Sequence, residues 1–313
     1  MQVEKELARL SPEKDTLLTI GVFDGVHRGH KHLLSQLTEQ ARQHNLLSGV
    51  VTFRQHPEKM LSPQTRLPFL TDLTQRTGLL KNEGVDMVVP LSFTSEMAQL
   101  SASQFVSLLK RYLRMRGLLI GSDFALGKNR EGDFDILRAL GEELNFSVTI
   151  ISPLTINGEV VSSTAIRKVL ADGDMKRVTN LIGRPFRLQG QVITGTGRGL
   201  ELGFPTANLK IDPKQALPPE GVYATRAYLD DKTCPSVTNI GRNPTFGNNE
   251  LTVEAYLLDY HNNLYGRELK IDIVERLRDE KRFNSVEELK NQIASDIKQG
   301  RAILGPTAGN KHE

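Results

Sequence analysis

The chain has 313 residues, 38% hydrophobic and 25% charged, which excludes a disordered or fibrous protein and is long enough for two domains. Its 40 basic and 37 acidic residues leave a formal charge of +3 with no basic stripe, so no nucleic-acid partner is expected. No apolar run approaches the ~20 residues that span a bilayer. The opening MQVEKELARL lacks the apolar centre of a secretion signal, and the lone Cys234 excludes an internal disulfide or a cysteine-cage zinc site, so we expect a cytoplasmic protein without a membrane partner. Nothing in the sequence sets the oligomeric state.

Up to about residue 180, strand-like apolar runs alternate with amphipathic stretches. The runs are TLLTIGVF, SGVVTF, VDMVVP, GLLIGSDF and FSVTII. Strands apolar on both faces suit a parallel sheet covered by helices. Leu33, Leu34, Leu37 and Ala41 share one helical face between the first two runs, and Phe105, Leu108, Leu109 and Tyr112 share another further on. The pattern predicts an open, doubly wound α/β domain. Ser162, Ser163 and Thr164 are N-cap candidates for a helix over AIRKVLA, with Gly173 after its end. A second short helix, MKRVTNLI, runs into Gly183-Arg184-Pro185, and the boundary is set there, giving domains 1–183 and 184–313.

Beyond Pro185 the chain reads as six short strands: RLQGQVITG, TANLKI, VYATRAYL, SVTNIG, LTVEAYLLDY and LKIDIVERL. Alternation as in Leu251-Thr252-Val253-Glu254-Ala255 marks half-buried antiparallel strands, and six of them suit a barrel or a sandwich. A terminal helix follows, with Ser285 and Glu288 in a capping-box pattern and Leu289, Ile293 and Ile297 on one face. GPTAGNKHE is expected to be a frayed tail.

The first chemically informative stretch is GVFDGVHRGH, Gly21 to His30, between the first strand and the helix carrying Leu33. Ligands of open α/β sheets bind beyond the carboxyl ends of strands, and a helix start offers free N–H groups to phosphate. His27 and His30 lie on one side of the first helical turn, where they either donate to phosphate oxygens or serve as polar surface and caps. A zinc pair needs a third ligand. His-Glu-x-x-His is absent and His32, His44 and His56 supply no ligand spacing; a P-loop is absent too.

With SSTAIR, Ser162 to Arg167, this stretch resembles the paired signatures of nucleotidyltransferases that join an adenylyl group to a phosphate or carboxylate. The resemblance implies that His27 and His30 bind the ATP phosphates and stabilise the transition state, with Gly21, Phe23 and Gly25 in the same nucleotide loop. It implies that Ser163, Thr164 and Arg167 hold the phosphates that leave as pyrophosphate. In-line displacement at phosphorus needs positioning and charge neutralisation, so no protein nucleophile is required.

The second stretch is GTGRGLELGFPTANL, Gly195 to Leu209. It lacks the third glycine of a dinucleotide fingerprint. Its Pro205-Thr206-Ala207-Asn208 resembles the motif of riboflavin kinases, and NIGRNPTF (239–246) and VEAYLLD (253–259) match further segments of that family. By this resemblance Thr206 and Asn208 supply oxygen ligands to Mg2+, Gly195, Gly197 and Gly199 belong to the flap over the nucleotide phosphates, and Gly203 and Pro205 also bind there. Glu254 is the base that takes the proton of the attacking ribityl hydroxyl. Read without the family, Glu254 is a polar-face strand residue opposite Val253 and Ala255. Within RDEKRF (278–283), Arg278 and Phe283 border the flavin.

An adenylyltransferase domain followed by a kinase barrel is similar to the bacterial bifunctional riboflavin kinase/FAD synthetase family over nearly the whole chain. The expected architecture is a Rossmann-like nucleotidyltransferase domain and then an antiparallel β-barrel with a terminal helix. The expected substrates and products are ATP, riboflavin, FMN and FAD. Phe53, His56 and Pro57 of FRQHP, and Asp123 of GSDFALGKNREGD, are expected on the flavin and phosphate side of the adenylyl site. Ala125 and Leu126 stand where that family often has a basic or aromatic residue. An adenylyltransferase for another small phosphate accounts for the first half but not for Pro-Thr-Ala-Asn. A non-catalytic flavin-binding regulator accounts for the fold but not for the retained His27, His30, Arg167, Thr206, Asn208 and Glu254.

Overall fold

The five apolar runs of the first half become five parallel strands: β1 Thr16–Ile20, β2 Leu47–Phe53, β3 Met87–Leu91, β4 Met115–Gly121 and β5 Ser147–Ile151. The computed structural model describes residues 1–57, 67–230, 232–242, 251–260 and 262–305. The sheet order is β3-β2-β1-β4-β5, so the chain winds outward from β1 and then restarts on its other side at β4. That reversal opens a crevice beyond the carboxyl ends of β1 and β4.

Helices cover both faces, as strands apolar on both sides require. One face packs Leu18, Ile20, Val51, Phe53, Leu118 and Ile120 against Val3 and Leu7 of α1 (Gln2–Leu7), and α2 (Arg28–Gln43) and α3 (Leu73–Asn82) lie on the opposite face. α4 (Ser95–Ala98), α5 (Ala102–Leu113) and α6 (Phe134–Leu144) complete the first face, with Met97, Phe105, Leu109, Leu113 and Leu137 buried there. On the other face Leu17, Val50 and Leu119 meet Leu34, Leu37 and Ala41 of α2 and Leu80 of α3. A two-residue hairpin, β6 Thr155–Ile156 with β7 Glu159–Val160, follows β5.

Two short helices come next, α7 Ser163–Ala171 and α8 Met175–Ile182, separated by Gly173 at φ +77° and closed by Gly183 at φ +84°. Both glycines supply a left-handed turn that side chains resist. By packing, the chain divides into Met1–Ser163 and Thr164–Glu313. This division falls earlier than the boundary set at Gly183, because α8 packs on strands of the second unit and Lys176 pairs with Glu275 at 2.9 Å.

The second unit contains β8 Phe186–Ile193, β9 Ala207–Lys210, β10 Gly221–Leu229, β11 Lys232–Arg242, β12 Leu251–Leu257 and β13 Glu268–Arg278. They close into an antiparallel barrel of order β10-β11-β12-β9-β8-β13. Val253, Ala255 and Leu257 alternate inward along β12, and the residues between them face out. The glycine-rich segment holds a five-residue helix, α9 Arg198–Leu202, between Gly197 and Gly203, both left-handed.

The terminal helix, α10 Val286–Leu304, starts at the Ser285 cap, whose hydroxyl accepts from Glu288 N–H at 3.1 Å. Glu288 reaches back to the N–H of Asn284 at 3.0 Å, one residue before the cap itself. Its most buried positions are Asp296, Gly300 and Leu304, while Leu289, Ile293 and Ile297 are half-buried. The reason is an ion pair: Asp296 takes Arg278 of β13 in a bidentate bond at 2.8–3.0 Å. Residues 306–313 of the expected tail lie outside the described residues. Among the described residues no helix is long and apolar enough to cross a membrane.

Two candidate active sites

A cavity of about 1020 Å³ occupies the crevice of the first unit. Gly21, Phe23, His27, His30, Phe53, His56, Pro57, Asp123 and Ser163 line it, so most of the residues expected in an adenylyl site share one wall system. Gly25 does not line it; its N–H donates to Thr71 Oγ1 at 2.9 Å. Thr164 and Arg167 follow Ser163 along α7.

The loop after β1 turns sharply. Phe23, Gly25 and Val26 have φ of +54°, +82° and +37°. A β-branched residue in that region is strained, and surrounding contacts must hold it there. Asp24 provides them: its buried carboxylate accepts from Leu70 N–H and Thr71 N–H at 2.9–3.0 Å, and its carbonyl accepts from Ser163 Oγ at 2.9 Å. Asp24 therefore ties together the first loop, the segment before α3 and the start of α7.

His27 caps α2, its Nδ1 accepting from the His30 N–H at 3.3 Å. An accepting Nδ1 carries no proton, so His27 holds its proton on Nε2. The two rings stack at 3.6 Å and 19°, and Phe23 packs against His30 at 5.0 Å. Burial, the neighbouring His27 and the Arg76 guanidinium, in that order, hold His30 well below the ordinary imidazole range. Gly29 permits this close approach, because a Cβ there would lie 2.8 Å from Val161 O.

Arg76 has no sequence motif, yet it is 5% exposed and donates to Phe53 O at 2.5 Å. Burial lowers its proton affinity, while Asp24 and Asp72 oppose that shift. Asp123 Oδ1 lies 3.3 Å from where a Cβ on Gly121 would stand, and its carbonyl accepts from Arg130 at 2.9 Å. Leu126 is drawn into the core beside Ala102 and Leu100.

In the barrel, Glu254 of β12 stands opposite Asn208 of β9 and Asn239 of β11. These three side chains share the outward face. Burial and the nearby Glu280 raise the Glu254 pKa above the usual carboxylate range, and Arg198 opposes the shift. Glu280 is itself raised, chiefly by burial, while a hydrogen bond from Asn239 lowers it. The glycine-rich turn lies directly on this group: a Cβ on Gly195 would come within 2.1 Å of Asn208 Nδ2, and one on Gly199 within 3.0 Å of Thr206 Oγ1. Pro205 follows Phe204, whose ring meets Tyr256 edge-on at 5.8 Å.

Arg278 is held by Asp296 and lies over Phe283 at 5.8 Å. Of NIGRNPTF, Asn239 to Arg242 belong to β11 and residues 243–246 lie outside the described residues. The sequence reading missed Asp24, Arg76 and Glu280. Asp24 was visible as an acid inside an apolar glycine turn, whereas Arg76 and Glu280 gain their places through contacts with distant segments.

A switch-point cavity with a helix-starting histidine pair, joined in one chain to a closed barrel with a glycine-covered polar strand pair, defines a two-domain transferase. Residues 10–165 match the family model described as FAD synthetase, and residues 182–304 the one described as riboflavin kinase. The chain belongs to the bifunctional riboflavin kinase/FMN adenylyltransferase family. It is 39% identical to the Escherichia coli K12 enzyme of that name over 299 residues, 95% of each chain. It is 38% identical to the Pseudomonas fluorescens enzyme over 98% of this chain and 99% of that one. A solved Streptococcus pneumoniae chain, described as a macrolide-efflux protein, superposes with a TM-score of 0.88 at 28% identity, covering 96% of this chain and 97% of that one.

Proposed function

We propose that this chain makes both flavin cofactors in sequence, phosphorylating riboflavin to FMN and then adenylylating FMN to FAD. The observation that carries the reading is the pairing of the two built sites, the stacked His27–His30 pair on the cavity and the Glu254–Asn208 pair under Gly195.

In the kinase reaction the ribityl hydroxyl oxygen attacks the γ-phosphorus of ATP and the bond to the β-phosphate oxygen breaks, releasing ADP. Glu254 takes the hydroxyl proton, a task its raised pKa suits. Gly195, Gly197, Gly199 and Gly203, with Pro205, form the cover over the phosphates, where glycine lets the backbone come close to oxygen. The donors present fit Mg2+: Thr206 Oγ1 and Asn208 Oδ1 are hard oxygens, and only glycine at 195 and 199 leaves room beside them. Thr206 and Asn208 would hold the ion, which neutralises phosphate charge when bound. Arg278 and Phe283 border the flavin.

In the adenylyl reaction an FMN phosphate oxygen attacks the α-phosphorus of ATP and pyrophosphate leaves. The nucleophile is already ionised, so no protein base is needed. Protonated ring nitrogens of His27 and His30 donate to the phosphate oxygens as charge shifts. Gly21, Phe23 and Asp123 shape the nucleotide side, with Gly25 in the turn behind them, and Phe53, His56 and Pro57 the flavin side. Ser163, Thr164 and Arg167 at the start of α7 hold the departing phosphates. Adenylyl transfer is assigned to residues 1–183 and the kinase to 184–313. Small molecules are the only partners this chemistry needs, with no nucleic acid or membrane, and a cytoplasmic setting supplies the ATP.

Incubation with riboflavin, ATP and Mg2+ followed by flavin chromatography tests this. FMN appearing first and FAD after it is the expected result. Absence of both flavins overturns the reading.

A further inference from the structure

Among the described residues four side-chain N or O atoms are buried without a hydrogen-bond partner, and three of them fall in the first unit: Thr19 Oγ1, His30 Nδ1 and Arg76 Nε. Each caps an apolar row on the same face of the sheet. Thr19 follows Leu17 along β1 at strand spacing, His30 precedes Leu34 by one helical turn of α2, and Arg76 precedes Leu80 by one turn of α3. Leu17, Leu34 and Leu80 belong to one buried cluster. Strand carboxyl ends and helix starts meet at the same edge of a parallel sheet, so the three rows converge there. Consistent with that convergence, the Arg76 guanidinium is among the charges that, after burial and His27, lower the proton affinity of His30.

The chemistry of the three atoms is complementary. An arginine Nε–H only donates, a threonine hydroxyl both donates and accepts, and an imidazole nitrogen without a proton accepts. Buried orphans of this kind are commonly joined by an internal water making about three hydrogen bonds.

We propose that Arg76 and Thr19 are positioning residues for His30, joined to its Nδ1 through one internal water, which fixes the ring as the Nε2–H form with that proton toward the nucleotide cavity. Both histidines then present the same donor nitrogen, since His27 Nδ1 already accepts from the His30 N–H. The inference rests on the adenylyl-site reading only for its catalytic consequence; the form of the ring is independent of it.

The test is nitrogen NMR of the ¹⁵N-histidine-labelled full chain at neutral pH, with Thr19→Val and Arg76→Met alongside. The expected wild-type His30 signals are those of a neutral ring protonated on Nε2. In both variants they move toward a mixture of the two neutral forms. FAD formation from supplied FMN is expected to fall in kcat by about tenfold to a hundredfold, the range for losing a group that orients a catalytic one. KM for ATP changes little, and an amide NMR spectrum that keeps the wild-type dispersion of the first unit reports that this unit is folded. Arg76→Lys, which keeps a donor cation, recovers part of the loss. A wild-type His30 protonated on Nδ1, or variants that keep both the wild-type ring signals and kcat, overturns the proposal. Because the ring signals need no turnover, a chain that forms no FAD yet shows the expected His30 leaves this inference standing while the functional reading falls.

Discussion

Asn208 and Glu254 are register partners on adjacent antiparallel strands, and the carboxylate of one shares its barrel face with the amide of the other. On the proposed reading, the base and a metal-binding oxygen of the kinase reaction stand one strand apart within the barrel.

The two activities are therefore separable by single substitutions. Glu254→Gln is expected to lower FMN formation by about a hundredfold or more, while FAD formation from supplied FMN persists. His30→Ala is expected to do the reverse. Chromatography of the flavins decides, and a loss of both activities by either folded variant contradicts the two-site model.

The kinase should have an early acid limb. A base works deprotonated, and the Glu254 pKa is raised by burial and by Glu280. Activity is thus lost as pH falls through a value above the ordinary carboxylate range of about 4.3. Glu280→Gln removes the second cause, so the limb moves to lower pH. A kcat–pH profile of riboflavin phosphorylation measures both positions.

Two glycines should resist even alanine, each silencing a different reaction. A Cβ on Gly195 would stand 2.1 Å from Asn208 Nδ2, and one on Gly29 would stand 2.8 Å from the Val161 carbonyl. Gly195→Ala is expected to reduce FMN formation, and Gly29→Ala FAD formation, by about a hundredfold where the displacement approaches 1 Å. Separate assays with riboflavin and with FMN read the two outcomes.

Asp296 should matter for stability before it matters for catalysis. It is 3% exposed and holds Arg278 in a bidentate pair. Asp296→Ala leaves the part-buried Arg278 charge without this partner, a loss of about 1–3 kcal/mol, below that of a fully buried pair. Urea unfolding of the barrel measures it. A raised KM for riboflavin at unchanged stability would instead make the flavin the main partner of Arg278.

Both layers of the fold were legible because burial leaves a period. Apolar runs marked β1 to β5, and alternation around Val253 and Ala255 marked the barrel. The face of α10 was not, since one of its most buried positions is the acid Asp296, which pairs with Arg278 eighteen positions away. α9 was hidden for a different reason: five residues between two left-handed glycines are too few to show a helical period. The packing division falls before α8 because the periodicity of α8 says that it has an apolar face but not which unit covers it. At the sites, His27, His30, Asn208 and Glu254 could be read from motifs. Arg76 and Glu280 could not, because the groups they act on lie far along the chain, and Asp24 showed only as an acid in an apolar glycine turn.

β9 is four residues long, yet it is the strand that joins β12 to β8 and so completes the ring of the barrel. Asn208 pairs with Glu254 on one side and with Ile193 on the other. The residue that would grip the ion is thus also part of the seam that shuts the cylinder. Grip and closure then reinforce each other: nucleotide held at Asn208 tightens the seam, and amide exchange across Ala207–Lys210 should slow on loading more than anywhere else in the barrel.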